Sequence, residues 1–319
     1  MAMTAMIYGW QIGACLLAIG LAPLFAGWVG QCRALLQNRT APSPWQPYRM
    51  LRKLFHKDVA LANDASWLFR SAPYVVFASM VLAAAIIPSL TTQLPASRVA
   101  DAIALVGLFA TARAFMALAA MDIGTAFGTL GARREMMIGF LTEPALLMVL
   151  FNAFLMAGTT ALPVIVQHTL AQTHIVLHPS LAFAAIAFVM VLLAENARLP
   201  IDNPSTHLEL TMIHEAMVLE YSARHLALIE WASWLKLFNY ACIGFTLFAP
   251  WGIATHHVGA AGIALALLTL LAKLLLAGGV LALFETVSTK LRLFRAPEFL
   301  TMAFLLAVLG VLVHLLLEG

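Results

Sequence analysis

The residues of this chain that could do chemistry are ionisable groups set among apolar neighbours. Arg113, Glu143, Glu195, Lys236, Lys273 and Glu285 stand within or at the ends of long apolar blocks, and Asp122 and Glu135 lie just beyond block ends. A charge at the bilayer centre costs about 2.5–3.5 kcal/mol on insertion scales, so it persists where it is paired or where water reaches it. Acids and bases alternating through a helical interior are what a proton or ion path needs. The plainer reading is structural. On that reading Arg113 pairs with Asp122, Arg134 and Glu135 serve local ion pairs, and Glu195 and Glu285 reach the interface by snorkelling. Glu143, Lys236 and Lys273 resist it, because each has apolar residues on both sides.

The densest cluster is ENARLPIDNPSTHLELTMIHEAMVLEYSARH, residues 195–225, with Glu195, Arg198, Asp202, Glu209 and Glu220 among its charges. Asn203 before Pro204 reads as a helix N-cap and first helical residue, so a membrane-skimming helix is expected from Pro204. Glu209 and Glu220 are eleven residues apart, about three helical turns, which would put them on one face. Burial and acid–acid proximity raise a carboxyl pKa and a neighbouring arginine lowers it, so such a cluster suits proton exchange. Arg198 is expected to set the charge balance of Glu195, Asp202 and Glu220.

Metal chemistry is not expected. His214 and Glu215 open an HExxH pattern, but Val218 holds the place of its second histidine. Cys15, Cys32 and Cys242 are far apart and form no CxxC, so no cluster or zinc site is expected within this chain. His168, His174, His178, His256 and His257 read as solvated loop residues. There is no nucleophile elbow, phosphate loop or dinucleotide fingerprint, and no basic tract for nucleic acid.

The elements that must position these groups are membrane helices. The chain has 319 residues, 62% hydrophobic and 10% charged, with a formal net charge of +3. Soluble proteins carry about 25% charged residues. Continuous apolar blocks of twenty or more residues, rather than short alternating segments, indicate helical spans and not a barrel. The blocks run at about 9–30, 73–94, 99–120, 138–163, 179–195, 232–255, 259–284 and 297–317. The first lacks the basic start of a secretory signal and reads as an uncleaved span. The expectation is an all-α polytopic membrane protein, one membrane domain over 1–319 with about eight transmembrane helices. Its long connections fall at about 31–72 and 196–231. Fourteen of the 18 Lys and Arg residues lie in one set of connections, and one, Arg98, lies in the other. The positive-inside rule then makes 31–72 and 196–231 cytoplasmic and puts both termini on the periplasmic side of a bacterial inner membrane.

Several segments also carry a family resemblance. ENARLPIDNPSTHLELT followed by LEYS resembles the membrane anchor shared by respiratory complex I, as its subunit 1, and group 4 membrane-bound [NiFe]-hydrogenases of the hydrogenase-4 and formate hydrogenlyase type. ASWLFRSAPYVVF (65–77), ATARAFMALAAMDIGTAFGTLGARREMMIGFLTEPALL (110–147) and FETVSTKLRLFRAPEFL (284–300) are similar to the same family, the last two to its hydrogenase branch. Departures from the quinone-reducing pattern point the same way: Arg39-Thr40-Ala41-Pro42 in the first connection, His207 in place of an acid, and no acid in the first span.

The resemblance implies a non-catalytic anchor and proton- or charge-coupling subunit of a multi-subunit oxidoreductase. It would link a hydrophilic arm, made of hydrogenase-like large and small subunits, to antiporter-like membrane subunits. Iron–sulfur clusters and a [NiFe] centre would belong to those partners, with no cofactor held by this chain beyond an optional quinone. Carried over by position, the path would run through Glu143, Glu195, Asp202, Glu209 and Glu220, with Lys236 and Lys273 matching lysines of the hydrogenase branch. Two other readings stay open: the quinone-site subunit of an NADH:quinone oxidoreductase, and a free-standing proton-coupled secondary transporter.

Overall fold

The computed structural model describes residues 2–62, 64–93, 95, 101–171, 178–202, 212–255, 260–288 and 295–317. Eleven α-helices run through them, and among the described residues there is no strand, only an isolated bridge between Thr91 and Ala254. The helices are α1 (Ala2–Leu36), α2 (Gln46–Phe55), α3 (Trp67–Ile86), α4 (Ala102–Asp122), α5 (Ala126–Ala157), α6 (Leu162–Ala171), α7 (Pro179–Glu195), α8 (His214–Val218), α9 (Ala223–Phe248), α10 (Ala260–Val287) and α11 (Ala296–Leu317). Six of them, α1, α3, α4, α5, α10 and α11, are long and apolar enough to cross a membrane. The other two expected spans coincide with helices that do not meet that measure. α7 is apolar but 17 residues long, and α9 has 26 residues interrupted by Glu230 and Lys236. The chain is a polytopic all-α membrane protein, as expected.

Local chemistry explains where the helices begin and end. The Ser66 hydroxyl accepts from the Leu68 N–H at 3.0 Å and starts α3. Asp101 accepts from the N–H groups of Ile103 (3.1 Å) and Ala104 (3.0 Å) and starts α4. Thr125 caps α5, and Gly158, at φ +69°, takes the left-handed conformation that ends it. Two expected boundaries move as a result. Residues 121–137 are not a loop: α5 starts at Ala126 and carries Arg133, Arg134 and Glu135 in its first turns. Charges stop a span without stopping a helix, and here Gly131 is buried against α8. The expected block 138–163 divides at Gly158 into α5 and the ten-residue α6.

Packing follows the small residues. On α1 the buried positions Ala14, Ala18, Ala22, Phe25 and Val29 recur at helical spacing. α3, α4 and α9 form the centre, where Phe109 stacks on Tyr240 at 4.9 Å and Phe69 on Tyr221 at 4.0 Å. α11 lies along α5 and α7, while α10 leans chiefly on α1. The amphipathic α2 buries Leu51 and Leu54 against Ala227, with Trp231 and Trp234 alongside, and leaves Arg49, Arg52 and Lys53 exposed.

Candidate functional site: a charged row inside the bundle

Arg113 is the hub. It sits on α4, the only charged group within that helix before Asp122, and its side chain is 6% exposed. Its guanidinium pairs with Glu143 of α5 and with Glu195 at the end of α7, and its Nε lies 3.6 Å from Glu135 of α5. Glu195 is 2% exposed; it accepts from the Thr142 hydroxyl as well as from Arg113, and its other oxygen is 2.8 Å from Lys236 Nζ on α9. Four helices thus contribute to one row, Glu143–Arg113–Glu195–Lys236, with Glu135 at its side. Gly139 makes room for it, since a Cβ there would stand 2.4 Å from an Arg113 nitrogen. A carboxylate at a helix C-terminus faces the negative end of the dipole. For Glu195 the two cations offset that penalty.

A cavity of about 60 Å³ adjoins the row, lined by Arg113, Glu135, Glu195, His214, Ser233 and Lys236 among others. That is room for a few waters. The segment after α7 and helix α8 close over it. Arg134 donates to the Met212 carbonyl at 2.8 Å, and Gly131 lets α8 approach α5.

Several expected partnerships are different. Arg113 does not pair with Asp122; it turns to acids on neighbouring helices, and Asp122 accepts from the Ser66 N–H at 3.0 Å, tying α4 to the start of α3. Among the described residues Arg134 bonds a backbone carbonyl, that of Met212. Glu195 and Glu285 do not snorkel: both are buried, and Glu285 (1% exposed) is held by Arg198 at 3.0 Å and Arg33 at 3.5 Å. Arg198 therefore serves Glu285 on α10 and is not the counter-charge of Glu195. Asp202 is buried in the same connection, its N–H donating to the Arg198 carbonyl at 3.2 Å. Lys273 is not in the row. Its ammonium donates to the carbonyls of Ala249 (2.6 Å) and Trp251, capping α9 about 20 Å along that helix from Lys236.

Glu209, His207 and the skimming helix expected from Pro204 lie outside the described residues. Glu220 is exposed in a turn beyond the end of α8, so it does not continue a helix face from Glu209. Its neighbours act structurally. The Tyr221 hydroxyl donates to the Phe69 carbonyl at 3.1 Å. The Ser222 hydroxyl donates to the Ala60 carbonyl at 2.8 Å and accepts from the Ala60 N–H at 3.0 Å. Together they pin Tyr221 and Ser222, just before α9, to the first turn of α3 and to Ala60.

Thr142, Ser233, His214 and Glu230 were not among the expected site residues. Glu230 is half-buried on α9 near His214 and Glu215. Glu230 lies just before the apolar block that begins at 232, yet it stands six residues before Lys236 on one continuous helix. Among the described residues no group of His, Cys, Asp or Glu side chains could hold a metal ion.

A polytopic helical bundle with a buried charge row defines a membrane subunit class, and the comparisons identify it. Residues 10–316 match the NADH dehydrogenase family, that of respiratory complex I subunit 1, and the chain belongs to it. It is 35% identical to formate hydrogenlyase subunit 4 of Escherichia coli (strain K12) over 287 residues, 89% of this chain and 91% of that one. It is 35% identical to hydrogenase-4 component C of the same organism over 235 residues, 73% of each chain. A chain of the membrane-bound sulfane sulfur reductase, an archaeal respiratory membrane complex, shares the fold at a TM-score of 0.78 and 18% identity, covering 96% of this chain and 98% of that one. The resemblance read from the sequence is confirmed.

Proposed function

We propose that this chain is the membrane anchor and charge-coupling subunit of a hydrogenase-4-like redox complex in a bacterial inner membrane. It links a hydrophilic arm bearing iron–sulfur clusters, and a [NiFe]-type centre in that arm, to antiporter-like membrane subunits. The exposed cations of α2 and the connection between α7 and α9 form the docking face on the cytoplasmic side, and both termini lie on the periplasmic side.

The observation that carries this reading is the charge balance of the row. Three carboxylates, Glu135, Glu143 and Glu195, face two cations, Arg113 and Lys236. Fully ionised, the cluster holds one net negative charge inside a bundle, where an unpaired charge is costly. That surplus charge makes the row responsive to a field change at the arm, and the adjoining cavity gives water a route to it. Glu143 is 35% exposed on a spanning helix, an expensive position against lipid, so water or a polar group reaches the row at that depth.

The test is the assembled complex in liposomes, assayed for proton movement per turnover. Glu143→Gln and Lys236→Met should assemble and react with substrate while moving markedly fewer protons. Wild-type coupling in both variants would reduce the row to a structural feature.

A further inference from the structure

We propose that the groove between α4 and α5 is a phospholipid site, holding one acyl chain beneath an ammonium-bearing headgroup such as that of phosphatidylethanolamine. The groove has a volume of about 430 Å³. Ile103 of α4 and Leu147, Met148, Phe151, Phe154 and Leu155 of α5 form its walls, and the turn Gly158–Thr160 closes one end. No redox or coupling role is required for it.

Depth, volume and charge select the occupant. From Leu147 to Gly158 the groove follows α5 for about 16 Å at 1.5 Å per residue. Half of a hydrocarbon core is about 15 Å. The groove thus spans one leaflet and ends where the helices meet the interface. Its lining is nearly all apolar, and Leu147, Phe151 and Ile103 are exposed on the bundle surface, so it opens sideways to lipid. A partner's helix does not fit inside: at about 10 Å diameter, 16 Å of helix occupies roughly 1,200 Å³. A flexible chain one leaflet long does.

The rim supplies the charge. Thr160 Oγ1 donates to Asp101 Oδ2 at 2.9 Å, and Asp101 Oδ1 accepts two backbone N–H groups, so the carboxylate is fixed at the mouth of the groove. Asp101 is part exposed. A fixed anion at the rim favours an ammonium headgroup over one with a net negative charge, which it repels.

The experiment uses the full chain purified in mild detergent from nanodiscs of equal phosphatidylethanolamine and phosphatidylglycerol. Lipid retained by the protein is counted by native mass spectrometry. Wild type should hold one phosphatidylethanolamine through dilution that strips bulk lipid. Leu147→Trp fills the groove from its exposed side and should cut retention at least tenfold, with helicity by circular dichroism unchanged; Phe151→Ala, which widens the groove without crowding α4, should weaken it several-fold. Asp101→Asn keeps the helix cap and should retain lipid without headgroup preference. Retention unaffected by Leu147→Trp and Phe151→Ala overturns the site. Equal retention of phosphatidylglycerol by wild type overturns the headgroup assignment. Cross-linking of Phe151→Cys to a neighbouring subunit's helix in the assembled complex, in place of lipid, overturns the occupant.

Discussion

At the scale of single residues, the buried row divides charges by what they have to lose. Arg113 faces three carboxylates, so Arg113→Met leaves buried acids without a counter-charge. Breaking a buried pair from one side costs about 3–5 kcal/mol. Unfolding of the purified chain in detergent should show a loss of that size, whereas Glu135→Gln, which removes a 3.6 Å contact and leaves the other two pairs, should cost far less. Asp101 gives a pH signature. The Ala104 N–H foremost, aided by Thr160 and the Ile103 N–H, holds its carboxyl below the usual carboxylate range. A carboxyl depressed in the folded state stabilises above its unfolded pKa, and the benefit is lost as pH falls through its folded pKa. The thermal stability gap between wild type and Asp101→Ala, about 1 kcal/mol at neutral pH for a lost cap, should therefore narrow as the pH falls below about 4. A gap independent of pH would show that the cap's charge contributes nothing. In the sequence, Arg113, Glu143, Glu195 and Lys236 were legible as charges in apolar blocks. Their pairing was not, because which acid an arginine meets depends on the rotation of four helices, and Asp122, nine residues on, offered a nearer partner along the chain.

At the scale of elements, close approach depends on a few glycines. A Cβ on Gly310 of α11 would stand 2.6 Å from Asn152 Nδ2 and 2.9 Å from the Ser180 carbonyl oxygen. The second is backbone and cannot swing aside. Gly310→Ala should cost about 1–3 kcal/mol as an overpacked contact and loosen α11 from α5 and α7. Faster proteolysis at the 288–296 connection would report it; unchanged cleavage and melting would mean that α7 yields without penalty. Helix ends were partly legible too. Ser66, Asp101 and Thr125 are cap residues by type, yet 126–137 reads as a charged connection. The contact of Gly131 with α8 is one that no local pattern announces. Lys273 shows the converse. Its apolar surroundings suggest a path residue, and only the fold reveals the open end of α9 beside it.

At the scale of the whole molecule, polar fastenings hold the peripheral α10 along its length: the Trp28 indole donates to the Leu275 carbonyl (3.0 Å) and the Thr269 hydroxyl to the Gly252 carbonyl (3.2 Å). Lys273 grips the end of α9, and Glu285 grips Arg198 and Arg33 at the opposite side. The loop after α3 joins the turn after α9 through the Thr92 N–H to the Ala254 carbonyl (3.1 Å) and the Ala254 N–H to the Leu90 carbonyl (2.9 Å). The asymmetry of basic residues sets the expected orientation. In intact cells, an impermeant thiol reagent should label Thr159→Cys and spare Gln37→Cys, both on a cysteine-free background. The reverse pattern would invert the molecule and remove the docking face from the side where the arm must be. The class was legible from composition because lipid leaves few solutions for the backbone.

The reach of Arg113 has a consequence for biogenesis. Its partner Glu195 lies 82 residues further along the chain. At about 5–20 residues per second, a ribosome takes roughly 4–16 s to deliver that acid after the arginine has entered the membrane. Throughout this interval α4 carries a cation whose strongest partner has not been made. Nascent chains ending before α7 should therefore stay bound to insertion factors or be degraded, whereas chains ending after α9, which also supplies Lys236, should leave the insertion site and resist protease. The order of synthesis, and not only the final packing, determines when this bundle can close.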